Sequence, residues 1–492
     1  MNVRKEFKKI CIDSKLIGAQ MIVINEKKIL ENLSFGFRNI ETKEKVNINT
    51  KFRIASISKI IVAMCVMQLV EKNLVSIDED ISKVLGFKIR NPKFPNEKIT
   101  IKHLMTQTSS ITDGFDDEDP KNDNLKRGYN GVNGTNVNAT LRDLLVKNDG
   151  PYWIDGTYSN YRPGEKFIYS NFGCGLLACI IEKTTHTFFC DYVIENIFSK
   201  LNIDASFRIQ DIEDQKNFAT LYYLSEDGNK IVPSLNVKKL YDKTYNKFPL
   251  GENFRGPAGG LIINIKDLSK IMQLFLNDGI YKGIRVLDKE TIDFMQQFHW
   301  INTEVSEYKA KGLQIRIFSI SNQEILRGHT GDSHGLVSFF FYNPEQKLGV
   351  CFFTNGGNFK RLPFGTVDIF EKLLEKVINK YWNYQIEKNF IIDKTGLESK
   401  INNRLIKMEK SLFYKDGKAY ISLFTILDGL DIMPVVTKNL VILSKNNKKI
   451  SFRFMELVKT DDTYYIPLKD LLMKLDIDFL EDEETILIKY IS

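Results

Sequence analysis

None of the six cysteines (Cys11, Cys65, Cys174, Cys179, Cys190 and Cys351) belongs to a Cys-x-x-Cys pair, and most sit inside apolar runs. That spacing excludes the usual dithiol and zinc motifs and reads as small buried hydrophobes in a reducing compartment. Histidines are scarcer still: five in 492 residues, dispersed, with none in His-Glu-x-x-His, so neither a metal nor a cofactor is expected. Long apolar runs are missing too. The longest, Ile60 to Val70, is too short to span a bilayer and directly follows Lys59. Met1 to Lys15 is charged throughout and lacks the apolar centre of a secretory signal, which gives a cytoplasmic expectation, with the cell envelope or exterior as the alternative. A one-sided charge excess is also lacking. The 69 basic and 62 acidic residues leave a net +7, and the lysines and arginines are scattered instead of gathered into a stripe, which excludes a nucleic-acid partner.

What is present is enough apolar material, 43% of the chain, for two or three folded units. Ala19–Asn25 and Lys28–Phe35 predict a hairpin through the turn Asn25-Glu26-Lys27. A strongly apolar helix is predicted from Ile57 to Glu71, with further helices at Ile101–Thr106, Thr140–Val146, Gly173–Lys183, Lys266–Asn277 and Asp288–Gln297. From Glu324 the texture turns to strands, Leu336–Tyr342 and Leu348–Thr354, and a helix from about Gly365 to Tyr384 closes the region. A hairpin and a late set of strands bracketing a helical middle predict an α+β domain over residues 1–385, with both ends in one antiparallel sheet.

Residues 386–410 are polar and weakly patterned and read as a linker. Residues 411–492 carry an internal repeat: Lys418-Ala419-Tyr420-Ile421-Ser422-Leu423 aligns with Thr463-Tyr464-Tyr465-Ile466-Pro467-Leu468 at an offset of 45 residues. The same offset pairs Leu430-Asp431-Ile432 with Leu475-Asp476-Ile477, so each copy reads as a strand, a short helix and another strand. This predicts a small separate α+β unit.

Three motifs could carry chemistry. In Ser56-Ile57-Ser58-Lys59 the amine lies one helical turn beyond the hydroxyl, on the same face, where it can take the serine's proton. A serine at a helix start also offers its own backbone N–H to an oxyanion, and the apolar run behind Lys59 would lower the lysine's pKa. Tyr169-Ser170-Asn171, after Pro163-Gly164, would present a phenol as proton shuttle and an amide to substrate; Tyr158-Ser159-Asn160 repeats the pattern without the Pro-Gly or a following apolar helix. His329-Thr330-Gly331 precedes a strand, and its glycine would let backbone approach a ligand. Taken singly, each has a plain alternative: an N-cap serine, a polar turn, a loop histidine.

Three lookalikes fail on context. Ser306-Glu307-Tyr308-Lys309 has no apolar helix behind it, and Lys394-Thr395-Gly396 lies in the expected linker. Gly331-Asp332-Ser333-His334-Gly335 spells an α/β-hydrolase nucleophile elbow, but strand texture follows it and no histidine occurs after His334.

In this order and spacing the three motifs resemble the penicillin-recognising serine hydrolases, the group of class C β-lactamases, D-Ala-D-Ala carboxypeptidases, D-aminopeptidases and related esterases. The resemblance covers about residues 15–380. It includes Phe52-Arg53-Ile54-Ala55 before the serine, Ile99–Ser109, Gly256-Pro257-Ala258-Gly259-Gly260-Leu261 with Asp267-Leu268, and Asn343-Pro344-Glu345. The resemblance implies an antiparallel sheet flanked by helices plus a helical subdomain. It makes Ser56 the nucleophile, Lys59 its base and Tyr169 the proton shuttle. Asn171 would bind the substrate amide, and His329 and Thr330, with Gly331, a substrate carboxylate or other polar group. Backbone N–H groups of Ser56 and Asp332 would form the oxyanion hole. Histidine at position 329, where β-lactamases carry lysine, Ser110, where glycine is common, and the missing proline before Gly18 are the departures.

The repeat resembles a small domain found at the N-terminus of some copper amine oxidases and attached to bacterial envelope proteins. No metal ligands accompany it, so it reads as a binding or spacer module with cell-wall material as candidate partner. The expected activity is hydrolysis of a peptide, amide or ester through an acyl-enzyme, with a D-residue in the substrate favoured. Esterase and β-lactamase activities are alternatives, and so, in a different class, is an idle sensor or wall-binding protein.

Overall fold

The computed structural model describes residues 2–114, 127–225, 230–236, 248–302, 310–319, 325–362, 366–437, 439–445, 448–460 and 463–491. Charge at the start of the chain conceals an amphipathic helix, α1 (Val3–Asp13), whose Val3, Phe7, Ile10 and Cys11 are buried along one face. Strands β1 (Gly18–Asn25), β2 (Ile29–Asn39) and β3 (Glu44–Lys45) follow. Helix α2 (Ser58–Glu71) is buried at every residue from Ser58 to Leu69, as its all-round apolar sequence requires. Helix α3 (Asn171–Thr185) packs beside it, and α4 (Ile265–Leu276), which lies against the sheet, shares its hydrophobic cluster. Then come β4 (Trp300–Ile301), β5 (Ala310–Lys311), β6 (Arg316–Ser319), β7 (Ile325–Ser333), β8 (Leu336–Asn343), β9 (Leu348–Thr354) and helix α5 (Asp368–Tyr381).

Among the described residues these nine strands form one sheet in the order β4-β5-β6-β7-β8-β9-β1-β2-β3. Its pairings are antiparallel, and β1 lies inside the sheet, with Ala19 opposite Phe35 on one side and Thr354 on the other. Both ends of the domain thus meet in one sheet, and the α+β expectation holds. Period-two alternation sends Ala19, Met21 and Val23 to the layer of α1 and α5, and Ile22 and Ile24 to the layer of α2 and α4. The six cysteines are all buried and unpaired. No helix among the described residues is long and apolar enough to cross a membrane.

The linker reading of residues 386–410 is overturned. Strands Glu387–Asp393, Glu398–Ile401 and Arg404–Lys407 join Phe479–Glu481 and Thr485–Ile491 in a five-stranded sheet. The segment looks polar because it carries buried charges: Lys388 pairs with Asp431 at 2.7 Å, and Arg404 with Glu345 at 2.7 Å. The internal repeat is real. Strands Lys418–Ser422 and Thr463–Pro467 pair with Ile421 opposite Ile466, and each runs into a short helix, Leu423–Gly429 or Leu468–Lys474. Asp431 and Asp476 both take left-handed conformations after those helices, φ 53° and 59°.

Nor is the repeat unit separate. Phe298, Ile301, Ala310, Ile317 and Ile325, from the β4–β7 edge of the large sheet, share one hydrophobic cluster with it. At this seam Arg327 of β7 is fully buried and pairs with Asp428 at 2.9 Å, and Asp428 also accepts from Arg404 (3.3 Å) and the Phe298 amide (2.7 Å). Gln297 and Lys407 exchange two hydrogen bonds of 3.0 Å across the same junction. Removing one member of such a buried cluster strands an uncompensated charge. Asp428→Ala is therefore expected to destabilise the whole chain by about 3–5 kcal/mol, measured by urea unfolding. A loss below about 1 kcal/mol would show that the seam does not join the two parts.

Two histidines near the seam make stability pH-dependent. Burial, with Lys102 adding, holds His299 down to about 3 and His103 down to about 4. The unfolded chain protonates both near 6.5, so between these values it binds more protons than the folded chain. Their contribution is present above pH 6.5 and falls as pH drops towards 4. His299→Gln should flatten the change in urea midpoint between pH 7 and pH 5.

Candidate active site

A short 3-10 turn, Ala55–Ile57, carries Ser56 into α2. Ala55 sits at φ 52°, a left-handed conformation that a residue with a Cβ adopts at some cost, and it turns the serine towards a cleft. The turn is held from both sides. Ile54 N donates to Leu261 O at 3.0 Å, and Ser338 Oγ donates to Ile54 O at 3.2 Å. A Cβ on Gly331 would lie 2.4 Å from Ile54 O and 2.3 Å from Ser338 Oγ. The glycine of the third motif thus makes room for the nucleophile's own turn; the sequence reading had assigned that room to a ligand.

Lys59 points back one turn from α2 and is fully buried. Its Nζ donates to Ser56 Oγ at 2.9 Å, Asn171 Oδ1 at 2.9 Å and Ala258 O at 2.8 Å, so all three ammonium protons have acceptors. The Tyr169 hydroxyl donates to the same Ser56 Oγ at 2.7 Å, and the ammonium lies 4.8 Å from the centre of its ring. Burial raises the Tyr169 pKa above its usual value, only partly offset by the hydrogen bond to Ser56, so the phenol keeps its proton at neutral pH. These four residues, separated by up to 115 positions, meet as the motifs anticipated.

Asn171 also has partners inside the protein. Asn171 opens α3 and lines the cleft; one N–H of its amide donates to Asp113 Oδ2 at 2.7 Å while its carbonyl holds Lys59, which leaves the second N–H of the amide unassigned. Asp113 also accepts from Ser170 Oγ (3.1 Å) and the Phe172 amide (2.9 Å), and so locks the start of α3. The sequence reading missed Asp113. The aspartate follows the Ile99–Ser109 stretch, but nothing local signals a carboxylate aimed at a helix start in a distant segment.

His329 lies behind the site and does not line the cleft. It is 1% exposed, its Nδ1 sits 2.6 Å from Thr330 O, and its Nε2 has no hydrogen-bond partner among the described residues. Burial, then the charges of Lys311 and Lys59, hold its pKa well below the usual range, so it is a neutral imidazole. Thr330, at 7% exposure, is also buried. In β7 the His329 ring lies beneath the Tyr169 ring, 6.4 Å between centroids. Lys311, fully buried, adds a second amine nearby, lowered to about 7 by burial and by the charges of Arg316 and Lys59.

The cleft, about 470 Å³, is bordered by Ser56, Tyr169, Asn171, Arg255, Asp332 and His334 among others, within the size range of small-molecule sites. Ser56 and Asp332 both line it, and the Asp332 carboxylate is taken by Arg361. The rival Tyr158 is buried, its hydroxyl donating to Leu145 O at 3.0 Å. Thr395-Gly396 forms a turn capped by Asp393, and Ser333 sits at the end of the β7–β8 hairpin. Ser306 falls outside the described residues.

A family model described as Beta-lactamase matches residues 3–370. Among curated proteins the chain is 26% identical over 340 residues to Protein flp of Staphylococcus aureus (strain MRSA252), covering 69% of this chain and 59% of that relative's length. Among solved structures it is similar to the octameric penicillin-binding protein homologue from Pyrococcus abyssi, with TM-score 0.57 and 20% identity over 99% of this chain and all of that one. It is also similar to the D-amino acid amidase from Ochrobactrum anthropi SV3, with TM-score 0.54 and 15% identity over 77% of this chain and all of that one. These structural likenesses are likenesses of fold.

Asp113 orients Asn171, which in turn orients Lys59. Asp113→Ala is expected to slow labelling of Ser56 by a fluorophosphonate about 10²-fold, the usual effect of misplacing a reacting group by roughly 1 Å. An unchanged labelling rate in a folded variant would remove Asp113 from the site.

Proposed function

The chain belongs to the beta-lactamase family of serine hydrolases, and on that premise we propose that it cleaves a peptide, amide or ester through an acyl-enzyme on Ser56. The observation that carries the proposal is Ser56 Oγ held between Lys59 Nζ at 2.9 Å and the Tyr169 hydroxyl at 2.7 Å. Two proton carriers on one hydroxyl suit a reaction that removes a proton from the serine and delivers one to a leaving group.

The unequal environments divide the roles. Tyr169 is kept a phenol, so Lys59 is the base, acting once its resting ammonium has given up a proton. The Ser56 proton passes to Nζ as Oγ bonds to the carbonyl carbon, and backbone N–H groups of Ser56 and Asp332 take the developing oxyanion. Tyr169 protonates the leaving nitrogen or oxygen as the scissile bond breaks, and recovers its proton from the lysine. Water then attacks the acyl-enzyme with the same groups used in reverse, releasing the acid and restoring Ser56. Asn171 contributes by fixing Lys59.

The favoured substrate carries a D-residue, following the family resemblance. His329 is neutral and enclosed, so β-lactams lack a cation at that position, and nitrocefin should turn over more slowly than D-amino-acid amides, D-Ala-D-Ala peptides or p-nitrophenyl esters. Ser56→Ala should abolish labelling and turnover, and Lys59→Ala should lower acylation about 10²–10⁴-fold with the fold intact. An adduct on any other residue, or full acylation in Lys59→Ala, would sink the mechanism. Absence of turnover with every substrate class would favour the sensor reading.

A further inference from the structure

A second cavity, about 1030 Å³, opens at the seam between the hydrolase domain and the C-terminal part, and it shares no lining residue with the cleft at Ser56. One wall comes from the helix Ile101–Thr106 and from His299, Trp300 and Ile301. The other comes from Glu409, Phe424 and the start of the strand Thr463–Pro467. Lys102 and Glu409 pair at 3.0 Å across the junction and tie the two walls together. Neither part of the chain forms the cavity alone.

Two histidines in the first wall each keep one ring nitrogen for an outside partner. In His103, Nδ1 accepts from the Thr100 amide at 3.2 Å, so the neutral ring carries its proton on Nε2. In His299, Nε2 lies 2.7 Å from Phe294 O, which can only accept, so Nε2 carries the proton and Nδ1 keeps its lone pair. Neither His103 Nε2 nor His299 Nδ1 has a hydrogen-bond partner among the described residues, and both atoms retain accessible surface. His299 does so although the residue as a whole is 7% exposed. The cavity therefore offers one neutral donor and one neutral acceptor on rings already fixed in place. A hydroxyl group can meet either.

Charge narrows the ligand further. Four basic and four acidic side chains line the cavity, with Lys102–Glu409 and Arg162–Glu97 (2.5 Å) paired, and burial keeps both imidazoles neutral. A wall of one sign would draw in an ion of the other; a balanced wall does not. Trp300 and Tyr464, one from each wall, add half-buried aromatic rings. Phe167 steadies the first at 5.6 Å between centroids, and Phe454 the second at 5.0 Å. Ring faces for C–H surface, uncharged groups for hydroxyls and no net charge together match a sugar chain. The volume, at the top of the range for small-molecule sites, leaves room for more than one sugar ring.

We propose that the seam cavity binds a neutral oligosaccharide, held between Trp300 and Tyr464 with hydroxyls on His103 and His299. The site uses none of the catalytic residues, so it stands or falls apart from the hydrolase reading.

Calorimetry on the full chain tests it with chitotetraose, cellotetraose and maltotetraose, and with tetragalacturonate as a charged counterpart. At least one neutral tetrasaccharide should bind at millimolar concentration or below, and more tightly than tetragalacturonate. His103→Asn keeps an acceptor for the Thr100 amide but loses the Nε2 donor, and should weaken binding about three- to tenfold, the range of a neutral hydrogen bond. Tyr464→Ala, on the opposite wall, should weaken it by about the same factor. Both are compared with the parent at matched urea midpoints. Binding should also shift the emission of Trp300, one of three tryptophans, and Trp300→Phe should remove the shift while retaining binding. No heat from any of the three neutral sugars, or a preference for tetragalacturonate, would overturn the proposal. So would an affinity unmoved in either variant, or binding without a Trp300 signal.

Discussion

The buried ammonium of Lys59 is the constraint around which the catalytic half is built. An ion of this kind is tolerated in a protein interior only when every proton has an acceptor. The three acceptors come from three separate segments: Ser56 on the turn before α2, Asn171 at the start of α3, and Ala258 in the loop before α4. Satisfying one charge therefore locks three elements into a single geometry, and that geometry is the site. The apolar completeness of α2 has the same origin, since a helix hydrophobic on all sides must lie centrally.

A second set of buried charges does for the C-terminal part what Lys59 does for the cleft. Arg327 lies on the same strand as His329 and is neutralised by Asp428 from the repeat unit. The repeat unit thereby completes the electrostatics of strand β7 and packs against the apolar residues at the β4–β7 end of the sheet. The unit is structural in this chain whatever else it binds.

Much of this was legible in advance. The helix at Ile57–Glu71 and the strands Leu336–Tyr342 and Leu348–Thr354 follow from hydrophobic periodicity and appear within a residue or two of their expected bounds. The 45-residue repeat was read from aligned side chains and reappears as matched strands, helices and left-handed aspartates. The failures share a cause. Helix α1 was hidden by its charge, and the strands at 387–407 by charges that turn out to be buried and paired. Polarity signals exposure only until a partner arrives from elsewhere in the chain.

The sequence by itself determined the Ser56–Lys59 pair, because an i, i+3 spacing at a helix start brings two side chains together whatever the rest of the protein does. It also marked Tyr169 and Asn171 as candidates to meet them. Only the tertiary structure decided that Asp113 locks Asn171 and that His329 faces inward as a neutral imidazole. Those are facts of burial and of which distant groups share a wall. No local pattern encodes them, because the cost or gain of a charge depends on partners that only folding brings near.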